Sequence, residues 1–242
     1  MYRSKVLIVL LLICCSLFAF FEYRCAYVLS YVFNSSLVPL ITLIYVVSVK
    51  KKNTLFFMFL LCYSLAEILG IIITSAKLDL IEFWSHVSYY GGNGFFILSY
   101  IFLILKISKS LSIKYVFEHF KLHMVVLILL KLYLLYFIHK IINPNLFFKN
   151  DYYFELLYNI VLFSLVTISL LNYFYNDNRK SLYLFFGALF ILVSEIMDAG
   201  FIFVDQRSIL TYFSVLSMLA GFYFLYQQSK LLNTSTNENM YR

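Results

Sequence analysis

Apolar residues run along this chain in long blocks separated by short polar breaks, and most blocks are as long as a bilayer crossing. A helix needs roughly 20 predominantly apolar residues to span the hydrocarbon core, and the pattern predicts eight. They fall at about residues 6–21, 31–49, 54–76, 92–107, 123–142, 152–175, 181–204 and 208–228. Pro39 lies in the first half of the second, Lys50-Lys51-Lys52 closes it, and Asn143-Pro144-Asn145 follows the fifth. A charged start followed by an apolar run is also the layout of a signal peptide. No small-x-small cleavage site follows here, so the run is read as the first helix. Residues 233–242 are polar and expected to form a disordered cytoplasmic tail. The expectation is one all-α domain over residues 1–232, a bundle of eight transmembrane helices.

Composition supports the membrane class. Hydrophobic residues make up 63% of the 242 and charged residues 13%, against about 45–50% and 25% in soluble domains. The mean hydropathy is +0.87. With 2 prolines and 7 glycines, no linker or low-complexity domain is visible. The net charge of +7 is explained by topology rather than by nucleic acid. Arg3, Lys5, Lys50, Lys51, Lys52, Lys106, Lys109, Lys114, Lys121, Arg179, Lys180, Lys230 and Arg242 fall on one side of the predicted membrane. Arg24, Lys77, Lys140, Lys149 and Arg207 fall on the other, and with Lys131 inside the fifth helix these account for all 19. That asymmetry predicts both termini in the cytoplasm, with the plasma (inner) membrane as the location. Cys14, Cys15, Cys25 and Cys62 show no metal-ligand spacing and read as small buried hydrophobes.

The seventh block carries Glu195 and Asp198 well inside its apolar run, and the third carries Glu67. A charged side chain at mid-bilayer depth costs about 2.5–3.5 kcal/mol on insertion scales, so it faces protein or a wet cavity. Residues three or four apart share a helix face, which groups Gly187, Ile191, Ser194, Glu195 and Asp198 in one stripe. Tyr63, Glu67, Gly70 and Thr74 form another. Counted from the cytoplasmic starts of their helices, Glu67 lies ~20 Å along and Glu195 ~21 Å along at 1.5 Å per residue. Both acids are therefore expected at one depth, toward the outer leaflet, lining one cavity. Asn93, between Gly92 and Gly94, is placed at its rim, and Ser214, Ser217 and Gly221 form a small stripe for close packing of the last helix. Such acids serve acid–base chemistry or cation binding, or they only hydrogen-bond helices together. Lys131 reads as a stem that snorkels to the interface, with an internal ion pair as the alternative. No Gly-x-Ser-x-Gly, His-Glu-x-x-His, Walker or Cys-x-x-Cys motif is present, and no metal or cofactor is implied.

In order and spacing these segments resemble the YhhN-like, TMEM86 lysoplasmalogenase family of small eight-span membrane proteins. The best match is Gly187-Ala188-Leu189-Phe190-Ile191-Leu192-Val193-Ser194-Glu195, which has Glu195 where the family pattern has Asp. Ser64-Leu65-Ala66-Glu67 matches the third-helix motif, again with Glu for Asp, and Tyr223 and Gln227 match the last helix. Gly92 and Phe96 keep the fourth-helix pattern, with Tyr100 where the family has His. Pro39 is kept in the second helix, preceded by Val38 in place of Lys.

The resemblance implies hydrolysis of the vinyl-ether bond of a lysoplasmalogen to a fatty aldehyde and a glycerophospho-head group. An acid would protonate the enol-ether carbon and a second carboxylate would stabilise the oxocarbenium-like cation or activate water. Glu67 and Glu195 would fill these roles, with Asp198 tuning them. Tyr63, Ser64, Asn93, Tyr100, Ser194, Tyr223 and Gln227 would contact the lysolipid. The alternatives are a non-catalytic protein that binds a lipid, cation or proton in the same acidic cavity, and a membrane scaffold whose acids fix packing.

Overall fold

The computed structural model of the protein describes residues 2–142, 151–204 and 207–231. Within them the chain is all-α. Its helices are α1 (Tyr2–Tyr23), α2 (Tyr27–Ser35), α3 (Leu37–Ser48), α4 (Thr54–Ser75), α5 (Glu82–His86), α6 (Asn93–Ser108) and α7 (Ile113–His119). They continue with α8 (Lys121–Ile142), α9 (Asp151–Asn176), α10 (Arg179–Phe203) and α11 (Ser208–Lys230). Among the described residues 7 stretches are long and apolar enough to cross a membrane: Lys5–Tyr23, Tyr27–Ser48, Thr54–Ser75, Glu82–Ser108, Tyr152–Asn176, Arg179–Ile202 and Ser208–Lys230. The protein is an integral membrane protein with the helix inventory of the polytopic class. Large apolar side chains such as Val9, Leu12, Ile72, Leu129 and Leu216 point outward, an arrangement suited to lipid and not to water.

The two helices that carry the acids start on well-made caps. The Asn53 side chain accepts from the Phe56 amide at 3.0 Å at the head of α4. Asn178 and Ser181 form a capping box at the head of α10. Each cap satisfies amides that the helix itself cannot, a contribution of about 1 kcal/mol. The predicted second and fourth helices differ from expectation. The second is broken at Ser36 into α2 and α3, whose Ser36 hydroxyl bonds the Val32 carbonyl at 2.6 Å. Pro39 thus falls in the first turn of a new helix, where its missing N–H costs nothing. The fourth span begins at Glu82 rather than near Gly92, because α5 runs through a π-helical turn, Val87–Gly92, into α6. The predicted fifth helix matches α8, which lies outside the seven stretches above. The Asn143-Pro144-Asn145 break and the tail 233–242 lie outside the described residues.

The helices close into a ring. α1 packs on α2 and α3, α3 on α4, α4 on α6, α6 on α9, α9 on α10, α10 on α11, and α11 returns to α1. α8 leans on α9 and α10. There Lys131 donates to the Ser164 hydroxyl of α9 at 2.6 Å, so its ammonium is held by a neighbouring helix rather than by an acid. One half of the ring interior is filled with stacked rings, Phe56 on Phe59 at 5.7 Å and Phe59 on Phe222 at 5.8 Å. Leu60, Leu103 and Leu225 are fully buried around them.

Candidate functional site

The tightest approach in the ring is between α10 and α11, and glycine permits it. A Cβ on Gly187 would stand 2.6 Å from Leu225 Cδ2, and one on Gly221 3.0 Å from the Gly187 carbonyl. With the backbones this close, Ser194 and Ser214 share a hydrogen bond of 3.0 Å across the seam, and Ser214 also interacts with Asp198. Close small-residue contact is the usual means of joining helices in lipid, where apolar burial gives no drive.

Glu195, one residue along from Ser194, turns instead toward α6 and α9. The Tyr100 hydroxyl donates to its Oε1 at 2.5 Å and the Tyr158 hydroxyl donates to its Oε2 at 2.7 Å. Tyr100 is completely buried and packs edge-on against Tyr158 at 6.0 Å and Tyr63 at 6.2 Å. Tyr63 is itself fixed against Phe96 at 4.7 Å and Phe222 at 5.0 Å. The carboxylate is thus held by two hydroxyls whose rings cannot move without disturbing the core. When the carboxyl is ionised, such bonds are about twice as strong as neutral ones.

Glu67 enters from α4. It interacts with Ser35 of α2 and lies within electrostatic reach of Glu195 and Asp198. Tyr63 is within reach of all three acids. The Tyr31 hydroxyl sits directly over Gly70, where any Cβ would collide with it, so the bare glycine lets α2 close against α4 beside Glu67. The three acids are partly buried. They do not converge on one metal position: among the described residues no cluster of acid, His and Cys side chains could hold a metal ion.

Other sequence-predicted residues are placed apart from this centre. Ser64 is buried but bonds Thr42 Oγ1 and the Leu60 carbonyl, each at 2.7 Å, and so joins α3 to α4. Ser194 belongs to the α10–α11 seam. Asn93 begins α6 between Gly92 and Gly94, glycines with open space around them. Tyr223 faces outward at 58% exposure, with its ring beside Phe224. Gln227 is partly exposed, while Gln228 next to it is buried and accepts from Lys106. Tyr158, Ser35 and Tyr31 are site residues that sequence reasoning did not select. For Tyr158 a faint signal exists, since it follows Glu155 by three residues on α9, and Glu155 accepts from Tyr89 at 2.7 Å. A further buried acid, Glu22 at the end of α1, accepts from Ser30 at 2.6 Å and stands apart from this group. No family model, curated protein or solved structure matches this chain.

Proposed function

We propose that this protein is a lysoplasmalogenase-like membrane hydrolase that cleaves the vinyl-ether bond of a lysolipid. The observation that carries the reading is the Glu195 carboxylate, gripped on both oxygens by Tyr100 and Tyr158 with Glu67 in reach. A carboxyl that accepts on both oxygens suits the charged partner of the pair. Glu67, which interacts with the hydroxyl of Ser35, suits the proton donor. Glu67 would deliver its proton to the β-carbon of the enol ether, leaving an oxocarbenium ion that Glu195 stabilises. Water then adds to the α-carbon and gives up a proton to the carboxylate pair. Collapse of the hemiacetal releases the fatty aldehyde and the glycerophospho-head group. Tyr100 stands where the resembled family has histidine, and its bond to Glu195 supports a replacement that keeps a polar donor at the site. The reading calls for no metal or cofactor.

The test is incubation of the purified protein with a lysoplasmalogen and with a diacyl control. Aldehyde released from the first alone supports the proposal, and none from either rejects it. The second reading is a protein that binds a proton or cation without catalysis. It draws on the fact that both Glu195 oxygens are already engaged. Proton uptake by proteoliposomes, abolished in Glu195→Gln and without aldehyde release, would select it.

We infer further that α8 is an eighth span, that both termini are cytoplasmic, and that the protein resides in the inner membrane. Cysteine labelling just after Lys52 and after Arg242 should report the same side. Opposite sides would remove a span.

A further inference from the structure

Glu22, the acid that stands apart from the other three, is the next-to-last residue of α1 and yet only 3% exposed. Ser30 of α2 donates to its Oε2 at 2.6 Å and fixes the carboxyl. Its Oε1 is buried and has no hydrogen-bond partner among the described residues. The basic residue nearest in sequence, Arg24, is exposed and turns to the Phe20 ring, 6.0 Å from its centroid.

A second acceptor is left at the same seam. Asn34 Oδ1 of α2 is also buried without a partner among the described residues. Phe21 stacks on Phe33 at 5.5 Å, and this pairing, with that of Glu22 and Ser30, makes α1 and α2 antiparallel. The next residue on each helix, Glu22 and Asn34, is rotated by about 100°, which in an antiparallel pair is toward the same side. Helical side chains lean toward the start of their own helix. Glu22 lies nearer the turn that joins the helices and Asn34 farther from it, so the two side chains lean toward each other.

Two buried oxygens that can only accept do not satisfy one another. A carboxylate in the last turn of α1 also faces the negative end of that helix's dipole. A cation between the oxygens answers both conditions, and oxygen donors suit a hard cation. One carboxylate balances one positive charge, so a monovalent ion leaves the buried place neutral and a divalent ion does not. Phe18, one turn below Glu22 on the same face, is buried and packs edge-on against Tyr212 at 5.7 Å, which closes the deep side. Tyr23, Arg24 and Cys25 follow directly and are exposed, so the path to solution is short.

We propose that Glu22 Oε1 and Asn34 Oδ1 form a binding site for a monovalent metal cation such as sodium, which ties α1 to α2 independently of the carboxylates around Glu195. The experiment follows thermal unfolding of the full-length protein in a neutral maltoside detergent at fixed pH. Sodium chloride replaces choline chloride at constant ionic strength, choline being too large for the seam. A ligand that binds only the folded protein raises its midpoint with concentration, so a saturable rise with sodium is expected.

Glu22→Gln should lose this response, and because its amide can donate to Asn34 it should stay folded in choline alone. Asn34→Ala should need about tenfold more sodium for the same rise. Glu195→Gln should respond as the wild type does. Should Glu22→Gln not fold, Asn34→Ala carries the test. The proposal fails if sodium does not raise the wild-type midpoint, or if either site variant keeps the full response. It also fails if Glu195→Gln abolishes the response, which would assign the ion to the other carboxylates.

Discussion

Tyr100→Phe is the sharpest probe of the site because it removes one atom and keeps the packing. The ring of Tyr100 is completely buried and contacts Tyr63 and Tyr158 edge-on; phenylalanine fills the same space. What is lost is the hydroxyl that donates to Glu195 Oε1. A hydrogen bond to a charged group contributes about 1.5–3 kcal/mol. If that bond is made equally in the resting protein and the transition state, the variant loses this much stability and little rate. If the bond tightens as Glu195 meets the developing cation, the same energy appears in the barrier, a fall of roughly 10- to 150-fold in kcat. Two measurements separate the cases: denaturant unfolding in micelles, and aldehyde release from a lysoplasmalogen. Tyr158→Phe should behave alike, and the double variant should cost less than the sum, because the two hydroxyls share one carboxylate. Were Tyr100→Phe to match wild type in both stability and rate, the two-tyrosine grip would be irrelevant and the reasoning refuted.

Glu195→Gln keeps shape and hydrogen-bonding capacity but cannot exchange a proton; it should abolish aldehyde release while the protein still inserts and runs as a monodisperse peak on size exclusion. Glu67→Gln should do the same, and a variant with full turnover would dismiss that acid from the reaction. Gly221→Val would force side-chain volume against the Gly187 carbonyl and Ile191; overpacking of about 1–3 kcal/mol should show as a lowered unfolding midpoint. Lys131→Leu should be tolerated within about 1 kcal/mol, since the lysine is only partly buried and its partner Ser164 also bonds the Ile160 carbonyl; a larger loss would mean that this contact holds α8 in place.

The span pattern was legible because lipid-facing helices need long apolar runs, and these runs survive any detail of packing. What misled was punctuation. Gly91, Gly92 and Gly94 look like a helix start, yet here they lie in and after a π-helical turn of a longer span. The polar residues Glu82, Ser85 and His86 had interrupted the apolar run ahead of them. The acids were legible for the opposite reason, since a carboxyl inside a span is expensive and so must be housed against protein or a wet cavity. Glu22 escaped notice because it falls one residue past the predicted run 6–21, although its side chain is buried. Register decided the last helix. Ser214, Val215, Met218, Gly221, Phe222, Leu225 and Gln228 are its buried residues, a repeat of three and four that turns Tyr223 outward.

Tyrosine explains why the partners of the acids were harder to read than the acids. The chain has 22 tyrosines, and most can settle at an interface, where an apolar ring and a polar tip are both satisfied. Beyond its place three residues after Glu155, nothing in the residues around Tyr158 separates it from Tyr152 or Tyr153, which sit toward the end of the same helix. Its role depends on α9 packing between α6 and α10, a fact of topology that local pattern does not contain. Once that ring closes, the chemistry becomes constrained. Glu195 must bring a carboxyl into a low-dielectric interior, the serine seam with α11 occupies Ser194 and Ser214, and the donors left on the other side are phenols. A phenol differs from imidazole in giving a hydrogen bond without bringing a positive charge. A site built on tyrosine therefore keeps its carboxyl in place through hydrogen bonds alone. In the proposed reaction the proton would then come from the second acid, and that is the physical reason for placing Glu67 and Glu195 in one mechanism.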